Sequence, residues 1–123
     1  ASQAGLELVP FLAPTSTDAR IERVRQLRPP FVYYVSMTGV TGAKLPDLGS
    51  LGSRIAAVRK KTGAKVGVGF GIAGADDVKR VAPHADAVVV GSALVGRIVD
   101  NPGGEAAAAA AFVAELKAAL AAA

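Results

Sequence analysis

The sequence contains no cysteine and no tryptophan, and it has one histidine, His84. Without cysteine there is no disulfide framework and no thiolate zinc site. A single histidine cannot build a metal centre on clustered imidazoles. Aromatic residues make up only 5% of the chain, and they do not alternate with basic residues as they would in a nucleic-acid groove. We therefore expect no metal ion and no nucleic-acid partner.

Long apolar runs are also missing. The longest, residues 106–113, is mostly alanine and is too short to cross a bilayer. The first residues show no basic segment followed by an apolar one, so no signal peptide is expected. These features predict a cytoplasmic protein without membrane contact.

The charged residues are mostly basic, with a net charge of +4. The basic residues cluster in two stretches that also carry apolar residues at helical spacing, which favours solvated outer faces of helices over a binding surface. The two stretches hold Arg20, Arg23, Arg25 and Arg28, and then Arg59, Lys60, Lys61 and Lys65. With 51% apolar and 20% charged residues, the 123 residues suit one folded domain over 1–123.

Four short apolar runs predict four strands, each followed by a helical pattern. They are residues 8–12, 31–35, 66–70 and 87–90. Each run is apolar on both faces instead of alternating, as in strands of a parallel sheet that is covered on both sides.

The helices between these strands have recognisable ends. Thr15 and Asp18 form a capping box at the start of the first, and Gly63 is the expected C-cap of the second. Asp76 and Asp77 favour the start of a third helix, and His84 after it is expected to be structural. Further helices are predicted over 93–99 and over 105–120, the last with one apolar face. That face holds Phe112, Leu116 and Leu120.

Repeated strand–helix units predict right-handed crossovers and a parallel sheet. The sheet is either a small doubly wound domain or half of a (β/α)8 barrel. A complete barrel needs about 250 residues, roughly double this length, and the first residues are typical of the end of a helix belonging to a longer chain. We therefore predict an α/β fold, the C-terminal half of a TIM barrel formed by its last four βα units.

Glycine is concentrated where the predicted strands end. Such glycines let backbone approach a ligand closely, and a helix that begins just after one offers free N–H groups to a phosphate. Gly91 and Ser92 precede a short helix after the fourth strand, as in the phosphate site of barrels. The chain has neither a P-loop motif nor a dinucleotide fingerprint. A phosphate site at these strand ends is the prediction.

Four motifs, taken together, resemble the tryptophan synthase alpha subunit family in order and spacing. They are FLAPT (11–15), FVYYVS (31–36) running into GVTG (39–42), VGFGI (68–72) and VVGSALV (89–95). The resemblance covers essentially the whole chain and corresponds to the family's last four βα units. Other phosphate-binding barrels, such as those of histidine biosynthesis, share only the phosphate glycines.

The resemblance implies cleavage of indole-3-glycerol phosphate to indole and glyceraldehyde 3-phosphate in tryptophan biosynthesis, a lyase reaction without a cofactor in this chain. It implies that Tyr33 and Phe70 line the indole pocket, and that Thr41 belongs to a mobile loop over residues 37–47. It also implies four substrate phosphate contacts, namely Gly42, Gly71, Gly91 and Ser92. The implied partner is the PLP-dependent beta subunit.

The general acids that this chemistry requires are not evident in the chain. None of its ten acidic residues directly follows a predicted strand, and in the family the catalytic carboxylates come from the N-terminal half. We therefore expect this segment alone to bind phosphate poorly and to catalyse nothing. The alternative is a non-catalytic phosphate-binding half-barrel, and either the N-terminal half or a second copy would cover the edges of its sheet.

Overall fold

A computed structural model describes residues 2–36, 47–69 and 71–123. Its four strands are β1 (Phe11–Leu12), β2 (Phe31–Val35), β3 (Lys65–Gly69) and β4 (Ala87–Val89). Its α-helices are α1 (Asp18–Leu27), α2 (Leu48–Thr62), α3 (Ala75–Val81), α4 (Ser92–Val99) and α5 (Glu105–Ala121). Short 3₁₀ helices cover Ser2–Ala4 and Ala82–His84.

The strands form one parallel sheet in the order β1-β2-β3-β4. Phe11 pairs with Tyr33, Tyr33 with Gly67, and Gly67 with Ala87. Every strand is therefore beside its neighbour in sequence, and right-handed crossovers place the connecting helices on one face of the sheet. A doubly wound domain would reverse the strand order and put helices on both faces. The fold is thus part of a TIM barrel, as predicted.

The core lies between the sheet and the helices. Val32 and Tyr34 of β2 and Val66 and Val68 of β3 point into it and are almost fully buried. The helices contribute seven further members of the same cluster, which are Val24, Leu51, Ile55, Val58, Val78, Val81 and Ala119. Leu12, Ala64 and Ile72 complete it. Burial of this apolar surface holds the helices onto the sheet.

The opposite, inner face of the sheet carries the alternate residues of the strands. Among the described residues no helix covers it, and Phe11 on β1 is 57% exposed. The sequence prediction of strands covered on both sides is therefore met on one face only within this chain. In a closed barrel this face would be packed by side chains from the other strands.

Two local predictions near the N-terminus are wrong. β1 is limited to Phe11–Leu12 because Pro10 has no N–H for the ladder; its carbonyl still accepts from the Tyr33 amide at 3.0 Å. The N-cap of α1 is Thr17, whose hydroxyl accepts from the Arg20 amide, and not Thr15. The reason is that Ser16 closes a turn back onto Ala13, through its amide and its hydroxyl, both at 2.9 Å.

The later helices follow the prediction closely. Gly63 ends α2 with φ of 69°, which favours glycine, and Asp76 and Asp77 lie in the first turn of α3. In α5, Phe112 is buried, but Leu120 is 44% exposed while Ala119 is buried. At the C-terminal end of α5, the residue that packs against the core is therefore Ala119 and not Leu120, which the predicted apolar face included. Within the described ranges, no helix is long and apolar enough to cross a membrane.

Gly52 in α2 provides a test of helix packing against His84, the predicted structural histidine. A Cβ at Gly52 would lie 2.7 Å from Nδ1 of His84, whereas a Cβ at Gly96 in α4 would meet no atom within 4 Å. Alanine in a helix interior is normally favoured over glycine by about 0.5–1 kcal/mol. We expect Gly96→Ala to gain about that amount, and Gly52→Ala to lose about 0.5 kcal/mol because the imidazole must move. Urea unfolding of both variants measures this, and an equal gain at both positions would show that His84 does not pack on α2.

Candidate functional site

The first turn of α4 lies directly after β4, on the side of the sheet where the carboxyl ends of the strands lie. Gly91 is its N-cap and makes no side-chain cap, and the first intrahelical bond runs from the Val95 amide to the Gly91 carbonyl at 3.1 Å. The preceding amides, those of Ser92, Ala93 and Leu94, donate to no group in the described part of the chain. Gly91 and Ser92 are exposed. This turn presents free N–H groups and the positive end of the helix dipole to solvent.

The turn after β3 lies beside it, because β3 and β4 are neighbours in the sheet. Gly71 adopts φ of 79°, a conformation that side chains disfavour. The sequence Ala73-Gly74-Ala75 gives α3 no side-chain cap, but Asp77 Oδ2 accepts from the Ala73 amide at 2.9 Å and closes the turn. Gly71 and the α4 amides thus lie at the ends of adjacent parallel strands.

Tyr33 lies on the inner face of β2. Its ring stacks on that of Phe11, with centroids 4.7 Å apart and an interplanar angle of 28°. Its backbone is in register with Gly67, but its hydroxyl lies over Gly69, two residues further along β3. The ring therefore leans towards the strand ends that carry Gly71 and Gly91. Together with Phe11 it forms a flat aromatic surface on the inner face of the sheet.

Ser36 follows β2 and joins the ends of β2 and β3. Its hydroxyl donates to the carbonyl of Gly69 at 2.9 Å, and its amide donates to the same oxygen at 3.2 Å. The side chain is buried, with 3% of its surface exposed. The backbone of β3 is consequently fixed just before the turn that contains Gly71.

The structure describes the positions of four of the seven predicted site residues. Gly71, Gly91 and Ser92 lie at adjacent strand ends, and Tyr33 lies on the inner face of β2, the strand beside β3. Three further predicted residues, Gly42, Thr41 and Phe70, lie outside the described residues.

Nine of the ten acidic residues lie on helices, at helix caps or at the amino ends of the strands, and Glu7 lies in the segment before β1. Asp86, the one next to a strand, precedes β4. Its Oδ2 accepts from the Val66 amide at 2.8 Å and from Arg59 Nε and Nη2 at 3.2 and 3.1 Å. The Val66 N–H first, and then Arg59, hold the pKa of this carboxyl below its ordinary value. A carboxyl group that stays ionised and bound at the amino edge of a sheet stabilises the fold and is not placed to transfer protons at the carboxyl edge.

Sequence reasoning did not single out Phe11 or Ser36. Phe11 was visible as an aromatic residue in a strand, but only the register with Tyr33 shows that the two rings stack. Ser36 was part of a motif, and its contact with Gly69 spans 33 residues. The signal available was a serine at the end of an apolar strand, where a hydroxyl can bond to a neighbouring carbonyl.

Comparison with known proteins gives a consistent result. The family model for the tryptophan synthase alpha chain matches residues 1–122. The tryptophan synthase alpha chain of Burkholderia multivorans is 48% identical over 119 residues, which are 95% of this chain and 44% of that protein. That of Thioalkalivibrio sulfidiphilus is 50% identical over 97 residues, 79% of this chain and 36% of the relative. The chain thus spans less than half the length of the curated relatives it matches.

Solved structures match in the same proportion. A Mycobacterium tuberculosis tryptophan synthase structure superposes with a TM-score of 0.79 at 29% identity, over 97% of this chain and 44% of that one. The alpha chain of Legionella pneumophila gives a TM-score of 0.80 at 24% identity with the same coverage, which supports the fold. By sequence and by fold, the chain belongs to the tryptophan synthase alpha chain family.

Proposed function

We propose that this chain supplies the phosphate-binding and ring-binding half of an alpha chain that cleaves indole-3-glycerol phosphate to indole and glyceraldehyde 3-phosphate. The observation that carries the proposal is the pair of adjacent strand ends. The free amides of α4 at Ser92–Leu94 lie one strand away from the positive-φ turn at Gly71. A phosphate dianion bound there accepts N–H bonds and is favoured by the helix dipole.

The ring of the substrate has a complementary surface on the inner face. Tyr33 and Phe11 provide stacked aromatic rings, and the glycines at 67 and 69 leave the facing part of β3 without side chains. Offset stacking on a partly exposed ring stabilises a flat aromatic ligand by about 0.5–1.5 kcal/mol. Phe70 is proposed to complete this pocket, and Gly42 and Thr41 to close it from the loop after β2.

Catalysis on this proposal needs groups from outside the segment. The proton transfers at the indole and glycerol carbons require a general acid and base, and the ten acidic residues of the chain lie on helices, at caps, at the amino ends of the strands or, for Glu7, before β1. We propose that the carboxylates come from the part of an alpha chain that precedes this segment in its relatives. The proposed partner beyond it is the PLP-dependent beta subunit.

Reassembly in trans tests the proposal. Residues 1–123 are mixed with the N-terminal portion of the Burkholderia multivorans alpha chain, and indole release from indole-3-glycerol phosphate is measured. The expected result is cleavage by the mixture and none by either part alone. Ser92→Asp should reduce kcat/KM at least about tenfold, because a carboxylate next to the phosphate repels it.

Ser53→Asp is the matched control, because it introduces the same charge at an exposed serine in α2, away from the strand ends. It should leave cleavage unchanged. A complex that forms in solution but releases no indole would count against the lyase function. If that complex still binds inorganic phosphate, the chain would be a non-catalytic phosphate-binding half-barrel.

A further inference from the structure

Gly69 is held from two sides by β2. Its carbonyl accepts both the hydroxyl and the amide of Ser36, and its Cα lies beneath the Tyr33 ring. The amide bond continues the parallel ladder, in which Val35 pairs with Gly69. The hydroxyl bond is additional to the ladder, so it is a contribution of the serine side chain and not of the strand geometry.

The position of this contact gives it a role in the proposed site. Gly69 is two residues before Gly71, whose φ of 79° sets the direction of the turn after β3. A glycine-rich turn has many accessible backbone conformations, so its geometry depends on where the preceding carbonyl is anchored. Ser36 directly follows β2, which ends at Val35. One buried hydroxyl therefore joins the end of β2 to the end of β3, just before the turn that contains Gly71.

We infer that Ser36 is a positioning residue for the phosphate site: its hydroxyl fixes the Gly69 carbonyl and so holds the turn at Gly71 beside the first turn of α4. The inference rests on the proposed function, since it assigns a role towards the phosphate of the same site. Ser36 itself need not touch the ligand. It acts by limiting the movement of the backbone that does.

The test compares Ser36→Ala with Thr62→Val in the 123-residue chain mixed with the N-terminal portion of the Burkholderia multivorans alpha chain. Thr62 is a matched control because its hydroxyl is also buried and donates to a carbonyl, that of Val58 at 2.7 Å, at the C-terminal end of α2. Two quantities are measured by NMR. One is the Kd of inorganic phosphate from the shifts of the residue 91–93 amides, and the other is amide hydrogen exchange at residue 36 relative to Tyr33.

Loss of a hydrogen bond of about 1 kcal/mol corresponds to about a fivefold change. We expect Ser36→Ala to raise the phosphate Kd about fivefold and to speed exchange at residue 36 about fivefold relative to Tyr33. Thr62→Val should leave the phosphate Kd unchanged, because Thr62 lies at the C-terminal end of α2. It should also leave the exchange ratio unchanged, because any loss of global stability speeds exchange at residue 36 and at Tyr33 alike. Ser36→Thr keeps the hydroxyl and should retain both wild-type values, which also covers the case in which Ser36→Ala does not fold.

The result that would overturn the inference is an exchange ratio and a phosphate Kd for Ser36→Ala that match those of Thr62→Val. Loss of both wild-type values in Ser36→Thr would also overturn it. If the wild-type chain shows no response to phosphate even when it is mixed with the N-terminal portion, that result contradicts the proposed function instead. In that case the exchange ratio at residue 36 still decides whether Ser36 holds the strand ends.

Discussion

Replacing Gly69 with alanine is expected to lower the free energy of unfolding by about 1–3 kcal/mol, the usual cost of overpacking. A Cβ at this position would overlap the hydroxyl of Tyr33 and lie 2.5 Å from its Cζ. Relief would require the ring to leave its stack on Phe11 or β2 and β3 to separate. The same change should reduce any activity of a reassembled enzyme, because it displaces the ring surface of the proposed pocket. Urea unfolding measures the stability effect.

Gly67→Ala is the control for the Gly69 prediction. It lies on the same strand and face, but its Cβ would only reach ordinary contact with the Phe31 ring at 3.5 Å and the Ala87 Cβ at 3.7 Å. We expect a change within about 0.5 kcal/mol. In a Tyr33→Ala background, Gly69→Ala should cost almost nothing, giving a coupling energy of about 1–3 kcal/mol. A Gly69→Ala cost that persists in that background would show that Tyr33 is not the obstructing group.

Removal of the Asp86 carboxylate is expected to cost about 1 kcal/mol at pH 7, after allowance for its partial exposure. Asp86→Ala leaves the Val66 amide and Arg59 without this partner. Since the pKa of Asp86 is lowered in the folded state, its charge contributes stability that is present above the unfolded pKa. That contribution is lost as the pH falls through the folded pKa. The difference between wild type and Asp86→Ala should therefore be largest near neutrality and shrink below about pH 4.

Denaturation curves at pH 7 and pH 3 measure this difference. Asp86→Asn can still accept from the Val66 amide and should fall between wild type and alanine. Asp18→Asn is the control: Asp18 pairs with Lys61 at 2.8 Å, but its side chain is 88% exposed, so its loss should be undetectable. If the Asp86→Ala difference were the same at both pH values, the ionised carboxylate would not be the source of the stability.

Much of the fold could be predicted from the sequence because it depends on local patterns. The apolar runs located all four strands, and Gly63 and the acidic pair at 76–77 marked helix ends through backbone conformation and dipole effects. The half-barrel followed from length and the repeated order of elements. These features depend on residues close in sequence, so sequence patterns are sufficient to predict them.

The structure differs from the sequence prediction where contacts between distant residues, or competing local hydrogen bonds, determine the conformation. Thr15 and Thr17 both precede a helical pattern, and only the turn closed by Ser16 on Ala13 selects Thr17 as the cap. The hydrogen bond from Ser36 to Gly69 and the stacking of Tyr33 on Phe11 depend on strand register. Register joins residues that are far apart in the sequence, so local sequence patterns do not predict it. The places of the glycines and of Tyr33 relative to the strands could therefore be predicted, and the contacts that position them could not; their role in a site stays a prediction.

The order β1-β2-β3-β4 has a consequence for how the chain acquires its structure. β2 and β3 share five register pairs, whereas β1 contributes two residues and β4 three. Each strand pairs with the next one in the chain, so every pairing closes one βα unit only, at a lower entropic cost than pairing across several units. From β2 onwards, each strand leaves the ribosome when a partner has already emerged, so the sheet can grow by addition of one strand at a time during synthesis.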